Sequence, residues 1–291
     1  MEHIHKTLDS VIQDLKQDKS GKINKLTGFL NIDYALNQIA KDSLITIAAR
    51  PAMGKTSFIL NIVTNLACKE NKSIVIFSLE NSKEQLVNRM ISNIAQINFK
   101  KLKDANLNND DWNKISYNIK KISQAKIFID DTPAIEVEKI KEKCIKLLEE
   151  KSIDIIIIDY LQLINKNDNI TKSLKYLSKE LNIPIIAVSQ LSGKPEERYE
   201  IGEDPRPILS DLNQEIINES DVIMFIYRDS YYNFETKDYN IAEINIAKNK
   251  YGNTGIVKMK YQSEYLKYQE LEKKEQYKYE RYNRWKTIWI K

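Results

Sequence analysis

Cysteine is scarce: Cys68 and Cys144 are the only two in 291 residues. Two thiols build neither a disulfide framework nor a four-thiolate zinc site, which points to a reducing, cytoplasmic setting. Histidine is scarcer in effect, because His3 and His5 stand alone without a third ligand and read as solvated side chains. No apolar run approaches the roughly 20 residues needed to cross a bilayer. The opening MEHIHKTLDSVIQD is charged and amphipathic, so it does not read as a secretory signal. An excess of one charge is missing too: 45 Lys and Arg against 41 Asp and Glu leave +4 over the chain, which excludes a basic nucleic-acid coat and an acidic solvating tail. Arginine is rare at seven of the 45 basic residues, so lysine carries most positive roles. Neither an internal repeat nor a low-complexity segment is evident.

What is present is enough apolar sequence for a core, 42% of residues, and an alternation of short apolar runs with amphipathic stretches. Strands are expected at Leu44–Ala48, Ser73–Leu79, Lys126–Asp130, Asp154–Ile158, Pro184–Val188, Val222–Tyr227, Ala242–Ala247 and Ile256–Met259. Helices are expected at Thr56–Cys68, Lys83–Ile94, Asp110–Ile122, Ile135–Glu149 and Thr171–Leu181. Continuous apolar strands separated by helices predict an α/β fold: a mostly parallel, twisted sheet covered on both faces. The short connections late in the chain predict an antiparallel edge. Three segments follow: an amphipathic helix and polar linker over 1–24, the α/β domain over 25–261, and a Tyr-rich helical tail over 262–291. The first helix, with Ile4, Leu8, Val11, Ile12 and Leu15 on one face, packs either on its own domain or on a neighbouring subunit.

The chemistry begins after the first strand. Ala49-Arg50-Pro51-Ala52-Met53-Gly54-Lys55-Thr56 joins LITIA to a helix, and matches G-x-x-x-x-G-K-[ST] except for alanine at its first position. Gly54 permits close backbone approach to a phosphate, and the helix N-terminus favours anions. Lys55 can reach the β- and γ-phosphates, and the Thr56 hydroxyl can hold Mg²⁺. The loop from Arg50, Pro51, Ala52 and Met53 to Ser57 is the expected cradle for ATP. Asp159 ends an apolar strand at the edge where phosphates bind in such sheets, placing it on the Mg²⁺ side. Asp154, at the start of that strand, belongs to the opposite edge. Glu80 ends a second strand; it is either the base that activates water or an acid ahead of a helix N-terminus. Gln190 either senses the γ-phosphate or is an ordinary strand end, and Arg228 either approaches the nucleotide or forms a structural ion pair. Cys68 falls on an apolar helical face and reads as core.

These segments together resemble the C-terminal ATPase domain of DnaB-type replicative DNA helicases, a RecA-like P-loop fold. The matching stretches are TGFLNIDYAL (27–36), LITIAARPAMGKTSF (44–58), IVIFSLENSKEQLVNRM (74–90), IIIIDYLQLI (155–164), LNIPIIAVSQLS (181–192), EDPRPILSDL (203–212), DVIMFIYRDSYY (221–232) and INIAKNKYGNTGIVKMKY (244–261). Alanine at position 49 is common in that family. The resemblance implies an ATP- and Mg²⁺-dependent ring hexamer that moves on single-stranded DNA in replication, with loader and primase as partners and no membrane. It implies Lys55 and Thr56 on phosphate and Mg²⁺, Glu80 as base, Asp159 as the metal-side acid, and Gln190 as a relay to the DNA-facing loops. Lys248 and Lys250 would face the nucleotide of the adjacent subunit, and the first helix would be the linker helix that docks there.

Four features depart from the family pattern. Only residues 1–24 precede the ATPase pattern, where the family carries a further domain. Lysine stands at 250 where the family has a trans-acting arginine. The loop NKNDNITKSL is short, and LSDLNQEIINESD lacks the expected Arg-Glu-Ser-Gly-like turn. In the family these two loops grip the DNA backbone, a task left here to Arg206 and surface lysines. The tail aromatics Tyr265, Tyr268, Tyr277, Tyr279, Tyr282, Trp285 and Trp289 either dock on the domain or stack on single strands. Two other readings stay open: a filament-forming recombination or repair ATPase, and a non-motor, nucleotide-regulated assembly module.

Overall fold

The computed structural model describes residues 25–37, 39–165 and 169–272. The expected helix at 4–15, His3 and His5, and the aromatics from Tyr277 onward lie outside them. Nine strands form one sheet: β1 (Leu44–Ala49), β2 (Ile74–Ser78), β3 (Ile127–Asp130), β4 (Ile155–Asp159), β5 (Ile185–Gln190), β6 (Val222–Tyr227), β7 (Ile241–Asn249), β8 (Gly255–Gln262) and β9 (Lys267–Glu270). Their order is β3-β2-β4-β5-β1-β6-β7-β8-β9. Pairing is parallel from β3 to β6 and antiparallel from β6 to β9.

The apolar strands are buried on both faces because successive side chains alternate between two core layers. Ile45, Ile47, Ile155, Ile157, Ile186, Val188 and Met224 enter one layer. Leu44, Ala48, Ile156, Ile158, Ile185, Ala187 and Phe225 enter the other. Helices α1 (Leu30–Leu36), α2 (Lys55–Thr64) and α3 (Lys83–Ala95) cover the first layer, α2 through Phe58, Ile59, Ile62 and Val63. Short α4 (Phe99–Lys103) and longer α5 (Asn109–Ser123) extend that side around Ala95, Ile97 and Ile115. Helices α6 (Val137–Leu148) and α7 (Ile170–Leu181) cover the second layer; short α8 (Lys194–Glu200) follows β5 and packs Tyr199 on Tyr232, and short α9 (Gln214–Glu219) joins the second layer through Ile216.

The tail reading needs correction at its start. From Gln262 the chain makes a single 3₁₀ turn at Ser263–Tyr265 and returns as β9, not as helix. Tyr261, Tyr265 and Tyr268 are spaced four and three apart, which mimics a helical face. Leu266 breaks that pattern by adopting a left-handed conformation (φ 52°), so Tyr261 and Tyr268 pair directly across two strands. The sheet domain therefore extends to residue 270 rather than ending at 261. Cys68 also departs from the core reading: it is half-buried, in a π-helical turn (Asn65–Lys69) that continues α2.

A buried carboxylate ties the chain's entry into the fold. Asp33, on α1, accepts from the amides of Leu26, Thr27 and Gly28 at 3.2, 2.8 and 3.0 Å and from the Thr27 hydroxyl at 2.8 Å. Removing it leaves these donors unpaired in the interior. Asp33→Ala is expected to lower stability by about 2–4 kcal/mol, measured by urea unfolding.

Candidate active site

Each functional side chain is delivered by the C-terminal end of a parallel strand. After β1 the loop turns through Ala52 (φ 61°) and Gly54 (φ 95°), both left-handed, before α2 begins at Lys55. Gly54 is required twice over: its φ suits glycine, and a Cβ there would sit 2.6 Å from the Tyr268 hydroxyl. The loop carbonyls are held from behind. Lys55 Nζ donates to the carbonyls of Ala49 and Arg50 at 3.1 Å each, Arg228 Nη1 to that of Ala52 at 3.3 Å, and Tyr268 Oη to that of Met53 at 3.2 Å. The amides of Lys55, Thr56 and Ser57 open α2 and have no carbonyl one turn earlier, which makes this end an anion site. Pro51 and Ala52 are exposed at the tip, Met53 is buried, and Ser57 is buried in the helix below. Arg50 turns toward β5, donating to the Leu191 carbonyl at 2.6 Å and pairing with Glu196.

Around this loop stand two acids. Asp159, at the end of β4, accepts the Thr56 hydroxyl through Oδ2 at 3.0 Å. Its Oδ1 is buried without a hydrogen-bond partner among the described residues. Burial raises the Asp159 pKa to about 6; the Thr56 bond lowers it, the Glu80 charge raises it and Lys55 lowers it. Lys55 is lowered by burial and raised by Asp159 and Glu80. Glu80 is thus within electrostatic reach of both, exposed just beyond β2, whose end is bound to β4 by the Leu79 amide on the Asp159 carbonyl at 2.8 Å. The helix that follows, α3, is capped by Ser82 and Gln85 in a reciprocal box, so Glu80 takes no part in the cap itself.

Gln190 is exposed at the end of β5, and its backbone is clamped by Gln162. The Gln162 amide donates to the Gln190 carbonyl at 3.1 Å, and its oxygen accepts the Gln190 amide at 3.2 Å. Gln162, on the turn after β4, was not legible as a site residue, because its partner is 28 residues away. Among the described residues Arg228 forms no ion pair; besides bonding Ala52 it stacks on Tyr261 at 4.7 Å.

Lys248 and Lys250 are not part of this cluster. They sit at the opposite edge, where Ile223 pairs with Lys248. Lys248 donates to the Ile217 carbonyl at the end of α9 at 2.7 Å, and Lys250 approaches Asp221 at 3.3 Å. Asp221 also accepts the Leu44 amide at 2.9 Å and Lys175 at 2.6 Å. Leu44 starts β1 and Ala49 ends it, so about 16 Å of strand separates these lysines from the phosphate loop of their own chain. At the same edge Asp154 accepts the Ser73 amide at 2.8 Å and Lys72 at 3.0 Å.

Arg206, expected as a DNA contact, is already paired: it forms a two-pronged pair with Glu243 at 2.7 and 3.2 Å, reaches exposed Asp204 at 3.2 Å and lies over the Tyr227 ring at 4.7 Å, with its side chain 38% exposed. Arg198 is likewise committed to buried Asp211, at 2.7 Å on both prongs.

The family model of the DnaB-like helicase C-terminal domain matches residues 26–270. The chain belongs to this family. Among relatives of the DnaB-like domain, it is 39% identical to the replicative DNA helicase DnaB of Geobacillus stearothermophilus over 92% of its own length and 61% of that protein. It is 40% identical to the replicative DNA helicase DnaC of Bacillus subtilis over the same shares. The chain thus spans about three-fifths of the length of these relatives. Its fold superposes on a solved ATPase domain with a TM-score of 0.86 at 32% identity, covering 94% of this chain and all of that one. A DnaB-like replicative helicase studied with primase gives 0.82 at 32% identity, covering 94% and 68%. The match of the DnaB-like domain reaches β9, in keeping with a sheet that closes at residue 270. Among the described residues no helix is long and apolar enough to cross a membrane, and no cluster of three His, Cys, Asp or Glu residues forms a metal site.

Proposed function

We propose that this chain is the ATP-hydrolysing motor of a ring-forming replicative DNA helicase, acting on single-stranded DNA in the cytoplasm alongside replication proteins such as a loader and primase. The observation that carries the reading is the convergence of free helix-opening amides, Lys55, the Thr56–Asp159 pair and Glu80 on one crevice. Lys55 and the amides bind the phosphate chain. Glu80 orients the attacking water and takes its proton. Gln190, held by Gln162, reports the γ-phosphate to the loops beyond β5. The donor set fits Mg²⁺: Asp159 Oδ1 is buried and, among the described residues, unpartnered beside the Thr56 hydroxyl. Mg²⁺, when bound, neutralises charge on the phosphates. Lys248 and Lys250, too far from their own loop, serve the site of an adjacent subunit, and a closed hexameric ring provides that neighbour.

The test is ATP turnover with and without single-stranded DNA, together with unwinding of a forked duplex. DNA should stimulate turnover and the fork should open. Turnover without stimulation or unwinding supports instead a non-motor module, a reading that the short NKNDNITKSL and LSDLNQEIINESD loops favour. Particle mass and negative-stain images separate rings from filaments.

The raised pKa of Asp159 adds a pH signature. With a value of about 6, the carboxyl is protonated below that pH and loses its anionic oxygen. The Mg²⁺-dependent part of nucleotide affinity is expected to fall roughly tenfold between pH 7 and pH 5. A fluorescent ATP analogue titrated with and without Mg²⁺ measures it, and Asp159→Asn should remove the part that Asp159 contributes, leaving that of the nucleotide's own terminal phosphate, which titrates at about pH 6.

A further inference from the structure

Behind the phosphate loop lies a second cavity of about 520 Å³, between α2 with its π-helical turn, α3, α5 and β9. Three lysines line it. Lys69 donates to Asn65 at 2.6 Å, and Lys121 donates to Asn118 at 3.3 Å and lies over the Tyr117 ring. Lys267 is half-buried, and its ammonium has neither a hydrogen bond nor an ion pair among the described residues. Burial and the charge of Lys69 both push the Lys267 pKa down, so the pocket is short of negative charge. Among the described residues the one carboxylate on its wall, Glu270, accepts the Asn31 amide at 2.7 Å. Surplus ammonium groups on flexible stems, set among asparagine side chains, suit a multiply charged, oxygen-rich anion. The volume falls within the range of small-ligand sites.

The same wall is bonded to the phosphate loop. Asn61, on α2, donates to the carbonyls of Ser57 at 2.7 Å and Leu266 at 2.8 Å, and accepts the Tyr268 amide at 3.0 Å. Tyr268, next to Lys267, places its hydroxyl on the Met53 carbonyl at 3.2 Å. A shift of β9 therefore reaches the loop through one side chain, and a shift of the π-helical turn, a distortion often found at functional sites, reaches it along α2.

We propose that this cavity is a second phosphate-binding site, taking a di- or triphosphate chain, and that its occupancy is coupled to the phosphate loop through Lys267–Tyr268 and α2. The ligand is recognised by its phosphates. Inorganic tripolyphosphate and the tail of a nucleotide are its two sources.

Calorimetric titration of the full chain with tripolyphosphate tests the site. Wild type should bind two per subunit, Lys55→Ala one, and the triple variant Lys69→Gln/Lys121→Gln/Lys267→Gln one. The same titration with ATP separates the sources: equal affinity at the second site means that the chain alone is read, tighter binding that a nucleotide is. One site that depends on Lys55 overturns the proposal and leaves the ATPase reading standing. One site that survives Lys55→Ala supports the proposal and sinks the ATPase reading. A control variant, Lys100→Gln/Lys103→Gln/Lys120→Gln, should keep both sites; losing one there as well means general charge attraction and overturns the proposal. For the coupling, tripolyphosphate at the second site should change the affinity of a fluorescent ATP analogue at least threefold in wild type, and Tyr268→Phe should abolish that change while keeping the second site. An unchanged response in Tyr268→Phe overturns the coupling.

Discussion

Glu80→Gln is expected to lower ATP turnover by about 10³-fold and to leave nucleotide affinity within a factor of about two, because in the proposed role the base acts on the water and not on the bound phosphates. That loss corresponds to about 4 kcal/mol of transition-state stabilisation. The substitution keeps the side-chain shape at an exposed position, so melting should not move. Lys55→Ala behaves differently. Lys55 is the half-buried cation between the loop carbonyls of Ala49 and Arg50 and the acids at 80 and 159. In its proposed role it is the positive charge closest to the phosphate chain, so both affinity and turnover are expected to collapse without it. Steady-state turnover paired with equilibrium binding of a fluorescent ATP analogue distinguishes the two signatures. Glu80→Gln retaining more than about one tenth of wild-type turnover would remove it from the role of base.

The second large effect belongs to Lys250. Its side chain is 63% exposed and rests on Asp221 at an edge that its own phosphate loop cannot reach. Such an exposed pair is weak, so the lysine is easily drawn off by a phosphate presented from outside. Lys250→Ala is expected to cut turnover by about 10²–10³-fold in the assembled particle without weakening assembly. Lys250→Arg should raise turnover several-fold, because a planar fork grips a phosphoryl group better than a point charge does. Mixing settles cis against trans. Lys250→Ala and Glu80→Gln subunits, each inactive alone, should regain about a quarter of wild-type activity in an equimolar ring, the product of two one-half chances at each heterologous interface. If Lys250 served its own nucleotide, the mixture would stay inactive.

Much of this architecture was legible locally. Each of the eight expected strands has its counterpart, with ends shifted by a few residues. A continuous apolar run such as DIIIID has no other stable place than the middle of a covered sheet. The phosphate loop was readable because its amides, glycine and lysine are contiguous in the chain. Asp159 and Glu80 were readable as sheet-edge acids because parallel strands deliver their last residues to one side. The misreadings have equally physical causes. Tyr261, Tyr265 and Tyr268 carry a helical spacing, and only the left-handed Leu266 turns it into a hairpin. The pairing of Arg206 with Glu243, on a strand 37 residues away, was likewise not legible locally.

Composition, period and the Gly-Lys-Thr turn thus decided on their own that the chain forms a covered, mostly parallel sheet with a glycine-lysine loop opening a helix at one end, since each of these properties depends on neighbours a few residues apart. Only the folded molecule decided that Tyr268 holds that loop from behind, that Gln162 clamps Gln190, and that Lys248 and Lys250 face away from the acids. These depend on which distant strands lie side by side, and that is settled by the packing of two core layers rather than by any local stretch of chain.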